Sequence, residues 1–223
     1  MTAVSADGET PFYVACSKGL TSVVDKMLEY GAKLDGISDR KLPLVVACRN
    51  NHVPVVQLLL SNGANPDILE AGGNRYHRAL PLHVAAANSS SELIELLLKH
   101  GANVNITGEH GSTALHHGVE NYRPRVTKSP HADEAKATSN AKSVVDILLE
   151  NKADVNIVND RGETPLYTAV SKGLLDIVSK MLQTYGGNPN IPSSEYRSAL
   201  VAACEKRNVD LVDMLLKNGA DPI

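Results

Sequence analysis

Apolar residues along this chain gather into pairs of short runs, and the pairs recur. The second run of each pair reads SVVDKMLEYGA, PVVQLLLSNGA, ELIELLLKHGA, SVVDILLENKA, DIVSKMLQTYGG and DLVDMLLKNGA. Apolar positions three and four apart put one stripe on a helix face, with charged or amide side chains opposite. The first run of each pair begins at Thr10, Leu42, Leu80, Thr113, Thr164 and Ser198, giving steps of 32, 38, 33, 51 and 34 residues. A base period of about 33 residues underlies the two long steps, the mark of a repeat architecture.

Local chemistry defines the unit. Thr10 and Thr164 can cap a helix with the hydroxyl, and Pro11 and Pro165 follow at the first helical position, where a missing N–H costs nothing. Leu42, Leu80 and Ser198 stand in the threonine position, so those three caps are expected to be weaker or differently made. Gly19 and Gly173 close the first helix, because glycine tolerates the left-handed C-terminal conformation. Stretches such as GANVN and ADVN then turn the chain out and back. Neither helix can bury its stripe alone, so the units must stack.

Segments such as TPLYTAV and LPLHVAA followed by LLLKHGANVN, at this period, resemble the ankyrin repeat, and six copies cover nearly the whole chain. The resemblance implies an all-α fold: a solenoid of stacked helix–turn–helix units with projecting hairpin loops and a concave binding face. His83 and His116 hold the family's histidine position, where Tyr13, Val45, Tyr167 and Val201 stand in the other copies. Read as one array over 1–223, the repeats run 5–36, 37–74, 75–107, 108–158, 159–192 and 193–223. Repeat one echoes repeat five (ETPFYVACSKGL against ETPLYTAVSKGL), and repeat two echoes repeat six. A block of four repeats therefore looks duplicated, and the expectation is a segment of a longer array.

Two departures individualise the array. The hairpin between repeats two and three holds about five extra residues, and Gly72-Gly73 suits a tight reversal. A finger is expected there, presenting Tyr76, His77 and Arg78. Repeat four carries an insertion at 122–141, read as a loop followed by a backward extension of its second helix. Gly118 weakens the first helix of that repeat by ~1 kcal/mol against alanine, so proteases are expected to cut first between Tyr122 and Ala141. Ser129, followed by Pro130, is a candidate phosphorylation site.

Charge and composition narrow the function. A net charge of −3 gives no electrostatic reason to expect nucleic acid, and no apolar run approaches the ~18 residues of a membrane span. Cys16, Cys48 and Cys204 lack CxxC spacing and fall at one equivalent helix position, which reads as core packing in a reducing cytoplasmic or nuclear setting. No GxSxG, HExxH, P-loop or GxGxxG appears. The expectation is a protein without catalytic residues, metal or cofactor, and not an enzyme.

Under the resemblance, partners are read by hairpin tips and by the exposed ends of first helices. The positions that map there are Arg49, Asn50, Tyr76, His77, Arg78 and Asn88, then Glu109, His110, Glu120, Arg161, Tyr196 and Arg197. Arginine and tyrosine are favoured interface anchors. A guanidinium binds a carboxylate or phosphate through two parallel hydrogen bonds, so the expected partner is a protein or extended peptide with an acidic or phosphorylated segment. Arg49 and Arg78 read as surface residues whose reversal leaves stability nearly unchanged. The resemblance also makes Asn105 and Asn156 candidate hydroxylation sites. The segment is expected to be monomeric, and to serve as an interaction module of a larger scaffold or adaptor; the alternative is the regulatory region of a larger enzyme or channel.

Overall fold

Thr10 and Thr164 start their helices as their chemistry requires, each hydroxyl accepting a backbone N–H three residues on, from Tyr13 and Tyr167, at 3.0 Å. The computed structural model describes residues 9–35, 41–71, 78–123, 143–193 and 197–222. Among them the helices come in pairs. The pairs are α1 (Pro11–Ser17) with α2 (Thr21–Glu29), α3 (Pro43–Arg49) with α4 (Val53–Ser61), and α5 (Pro81–Ala87) with α6 (Ser91–Lys99). They continue as α7 (Ala114–Glu120) with α8 (Val144–Glu150), α9 (Pro165–Lys172) with α10 (Leu175–Gln183), and α11 (Ala199–Glu205) with α12 (Val209–Lys217).

The chain divides into two compact units, Met1–Glu109 and His110–Ile223. In the first, α1 packs on α3 and α3 on α5, while α2, α4 and α6 form a second row. In the second, α7, α9 and α11 stack in order, and α10 packs on α12. Each core is aliphatic: Leu44, Leu59, Leu82, Leu93 and Leu97 fill the first, and Leu115, Leu148, Leu166 and Ile177 the second.

The other caps divide unevenly. Leu42 and Leu80 make no side-chain cap; both are buried, and Pro43 and Pro81 start their helices instead. Ser198 does cap its helix, its hydroxyl accepting the Val201 N–H at 3.3 Å, longer than the 3.0 Å of the two threonine caps and in line with the weaker cap expected there. Five of the six described first helices end at a left-handed residue: Gly19 (φ 70°) and Gly173 (φ 75°) in two, and Asn51, Ser89 and Arg207 at φ 54–56° in three. Gly19 answers a second demand: a Cβ there would stand 2.6 Å from His52 Nδ1.

Repeat four corrects one expectation. The helix α8 begins at Val144, behind an extended Ser143 whose hydroxyl accepts the Asp146 N–H at 3.1 Å. A capped start means that this helix is not continued backward into the insertion. Residues 124–142, including Ser129 and most of the expected cleavage segment, lie outside the described residues. Gly118 is more than a weak point, because a Cβ there would press on Val144 Cγ1 at 3.3 Å and Leu148 Cδ1 at 3.4 Å. The missing side chain lets α7 and α8 approach closely.

The cysteines are not equivalent in their surroundings. Cys16 and Cys48 are fully buried, and burial pushes both thiols up to about 12. Cys204 is exposed, so its reading as core packing is corrected. Cys48 lies on α3, which α5 covers; no described helix covers the corresponding side of α11. Native protein treated with a thiol reagent should therefore modify Cys204 at least about a hundredfold faster than the other two, since the thiolate is the reactive form. Equal rates, followed by peptide mass spectrometry, would contradict that burial.

Candidate interaction surface

The turns between repeats are built by two asparagine or aspartate positions with separate tasks. The first closes the turn on itself: Asn65 Oδ1 accepts the Asp67 N–H at 3.0 Å, and Asp154 Oδ1 accepts the Asn156 N–H at 2.8 Å. The second reaches the next turn. Asp67 accepts the Asn103 N–H at 3.0 Å, while Asn156 accepts from the Asn188 N–H at 2.8 Å and donates to the Gly186 carbonyl at 3.0 Å. Asn105 takes part in the same turn chemistry, its N–H donating to Asn103 Oδ1 at 3.0 Å. The Asn156 amide is thus engaged at both ends.

The histidines tie first helices to the turns that follow. His83 Nε2 donates to the Ile106 carbonyl at 2.9 Å, and a Cβ on Gly108 would stand 2.4 Å from the His83 ring. His116 Nε2 donates to the Glu163 carbonyl at 3.0 Å, which leaves Nδ1 to accept the Thr113 N–H at 3.1 Å. Burial lowers the His116 pKa below the usual histidine value.

Several expected contact residues are engaged within their own unit. Asn50 donates to the Ser17 carbonyl at 2.8 Å, and Asn88 donates to the Arg49 and Cys48 carbonyls at 3.1 and 3.3 Å. Both amides satisfy the end of the preceding first helix, where carbonyls lack intrahelical partners. The Glu120 carbonyl likewise accepts from Lys172 Nζ. Arg197 pairs with Glu205 at 3.4 Å, and Arg161 is exposed, its N–H donating to Asn159 Oδ1 at 2.9 Å. His110 is exposed with φ 52°, and its carbonyl accepts the Asp160 N–H at 2.8 Å. Glu109 begins the short 3-10 turn Glu109–Gly111. Tyr76, His77 and Tyr196 lie outside the described residues, and Arg78 is placed by its backbone only.

That backbone is the base of the expected finger. Glu70–Ala71 (β1) and Arg78–Ala79 (β2) pair antiparallel, with Glu70 opposite Ala79. Glu70 was not anticipated and organises its surroundings. Its carboxylate accepts from Arg49 Nη2 at 2.5 Å, with the Glu70 side chain only 10% exposed and Arg49 46%. Beside this pair, Lys41 Nζ bonds Glu9 at 2.9 Å and stands 5.2 Å from the centre of the Tyr13 ring, near enough for a cation–π contact. Burial raises the Tyr13 pKa, and the field of Lys41 opposes the rise. Arg49 was the member of this cluster that the sequence pointed to, whereas Glu70 stood only as a glutamate in the lengthened hairpin.

Arg49 therefore departs from its reading as a neutral surface position. Reversal to glutamate would set a second carboxylate against the nearly buried Glu70, which is strongly unfavourable.

Paired helices, proline starts and turn-to-turn asparagines are joined by direct similarity. The family descriptions "Ankyrin repeats (3 copies)" and "Ankyrin repeats (many copies)" match residues 1–70 with 135–223 and residues 68–117, respectively. The chain belongs to the ankyrin-repeat family, whose members are generally protein–protein interaction modules on a typically non-catalytic fold. It is similar to the B-cell lymphoma 3 protein homolog of Mus musculus, at 27% identity over 99% of this chain and 39% of that protein. A cowpox virus ankyrin repeat domain-containing protein is 37% identical over 33% of this chain and 11% of its own length. The chain thus spans a minor part of these relatives.

Solved structures share the fold. An ankyrin repeat domain from Acinetobacter baumannii matches with a TM-score of 0.76 at 22% identity, covering 95% of this chain and 98% of that one. The human ASB11 ankyrin repeat domain matches with a TM-score of 0.67 at 22% identity, covering 96% and 85%. Among the described residues no helix is long and apolar enough to cross a membrane.

Proposed function

We propose that this chain is a protein-binding segment of a larger scaffold or adaptor, and that its first unit reads an acidic or phosphorylated peptide segment. The observation that supports this reading is the Lys41–Tyr13–Arg49 group, two cations and a ring held in place by Glu9 and Glu70. A partner carboxylate or phosphate entering there meets donors whose side chains are already ordered, which lowers the entropy lost on binding. Glu109, His110, Glu120, Arg161, Tyr196 and Arg197 are proposed contacts at their own repeats, and Asn50 and Asn88 act mainly by holding helix ends. Most relatives are longer than this chain, among them an Arabidopsis E3 ubiquitin-protein ligase of which it covers 13%. That length supports the second reading, a regulatory region serving an attached domain.

The test is a titration of a captured partner against two variants. Arg49→Gln combined with Glu70→Gln removes the cation together with its shielded counter-charge. Binding should weaken more than tenfold, ~1.4 kcal/mol, with little change in thermal midpoint. Lys99→Glu, exposed at the end of α6, should bind as the parent does. Equal losses in both would move the binding face elsewhere.

A further inference from the structure

The duplication within the chain supplies an internal comparison. Glu9 and Tyr13 of repeat one recur as Glu163 and Tyr167 of repeat five, and Lys41 and Arg49 of repeat two recur as Arg197 and Glu205 of repeat six. Thr10 and Thr164 accept the Tyr13 and Tyr167 N–H at the same 3.0 Å, so the two rings leave equivalent points of a first helix. In each case the next first helix packs alongside, α3 on α1 and α11 on α9. Of the charged positions only the last changes sign, from Arg49 to Glu205.

That exchange redirects the cation before it. In the first unit Arg49 turns to Glu70, and Lys41 is held by Glu9 at 2.9 Å with its Nζ 5.2 Å from the centre of the Tyr13 ring, which is 7% exposed. In the second unit Glu205 draws Arg197 to itself at 3.4 Å. Tyr167 is half-buried, and among the described residues no cation stands over its ring. Glu163 lies four residues before Tyr167, as Glu9 does before Tyr13; its carboxylate has Asn159 Nδ2 at a long 3.4 Å, which leaves acceptor positions open. Lys172, on the same helix as Tyr167, is turned to the Glu120 carbonyl. The seat that Lys41 fills in the first unit is thus built again in the second, without a described residue of the chain filling it.

We propose that Tyr167 and Glu163 form a site for a lysine ammonium of a partner protein, ring and carboxylate holding it as Tyr13 and Glu9 hold Lys41. An ammonium there gains a cation–π contact and a charge-assisted hydrogen bond together. Two related joints of one chain then read opposite charges, an anion in the first unit and a cation in the second. The site rests on the reading of the chain as protein-binding, but it shares no residue with the anion-binding group of the first unit.

The full chain, labelled with fluorotyrosine and with its Tyr13 and Tyr167 signals assigned by single changes to phenylalanine, is titrated with N-acetyl-lysine amide. N-acetyl-norleucine amide is the uncharged control. The Tyr167 fluorine signal should shift saturably with the lysine compound and stay still with the control, while Tyr13, whose seat Lys41 fills, should move with neither. Glu163→Gln should weaken the Tyr167 response by about threefold or more. Glu205→Gln, at an exposed position, releases Arg197 to the ring and should weaken the response as well. Lys41→Ala should make Tyr13 respond as Tyr167 does. A Tyr167 signal that ignores the lysine compound, or follows norleucine equally, overturns the proposal, as does a response that Glu163→Gln leaves unchanged. Because the signal is read at Tyr167 itself, such a failure is separate from a failure of anion binding in the first unit.

Discussion

Leu148→Ala should destabilise the second unit by ~3–5 kcal/mol, the upper part of the usual range for such a truncation. Leu148 is fully buried on α8 and meets α7 at Gly118, with 3.4 Å between its Cδ1 and the place a Cβ would take. Glycine has no side chain to swing into the vacated space, so the cavity closes only by moving backbone. Leu97→Ala on α6 removes an equally buried leucine from the first unit and should cost ~2–4 kcal/mol. Urea unfolding followed by circular dichroism measures both. A loss under about half a kcal/mol for Leu148→Ala, the scale of ordinary surface substitutions, would mean that α8 is placed in the wrong register.

His116→Ala should cost ~2–3 kcal/mol, because a buried group left without a partner costs about 1–3 kcal/mol. The group in question is the Thr113 N–H, which donates to His116 Nδ1 in a nearly inaccessible setting. The Glu163 carbonyl suffers less, since it also accepts the Asn159 N–H at 3.0 Å. His116 also sets a pH dependence. Burial lowers its pKa in the folded chain, so the unfolded chain takes up the proton first as pH falls. Its contribution is complete above about pH 6.5, the unperturbed value, and declines below it. Parent protein should thus lose stability between about pH 6.5 and the lowered folded value, and His116→Gln should lose less over the same window. Asp146 acts in a separate, more acidic window. Burial pushes its carboxyl up, but hydrogen bonds from Lys180 and Ser143 more than offset this and hold it below the usual range. Matching pH profiles for parent and His116→Gln would remove the histidine from the account.

The pairing of helices, their starts at Thr-Pro and their aliphatic cores were legible because each follows from residues within one repeat. Thr10 caps Tyr13 three positions away, and the stripe on α6 comes from spacing alone. Such features depend on local geometry and on the need to bury one face, and the sequence carries both directly. The ankyrin repeat itself was legible for that reason, and so was the family position of His83 and His116, although not what each ring bonds.

What lies over a residue was not legible, because that depends on its neighbours in space. Cys48 and Cys204 hold the same place in similar segments, LVVACR and LVAACE, yet one is a core thiol under α5 while the other faces solvent. Gly118 looked like a weakness until α8 was seen lying against it. Arg49 looked like a free surface cation until Glu70, twenty-one residues on, proved to hold it. The local chain determined how each helix forms and which face it must bury. The tertiary structure decided which of the remaining polar groups are already satisfied from within, because that is settled by contacts the chain makes only after it has stacked.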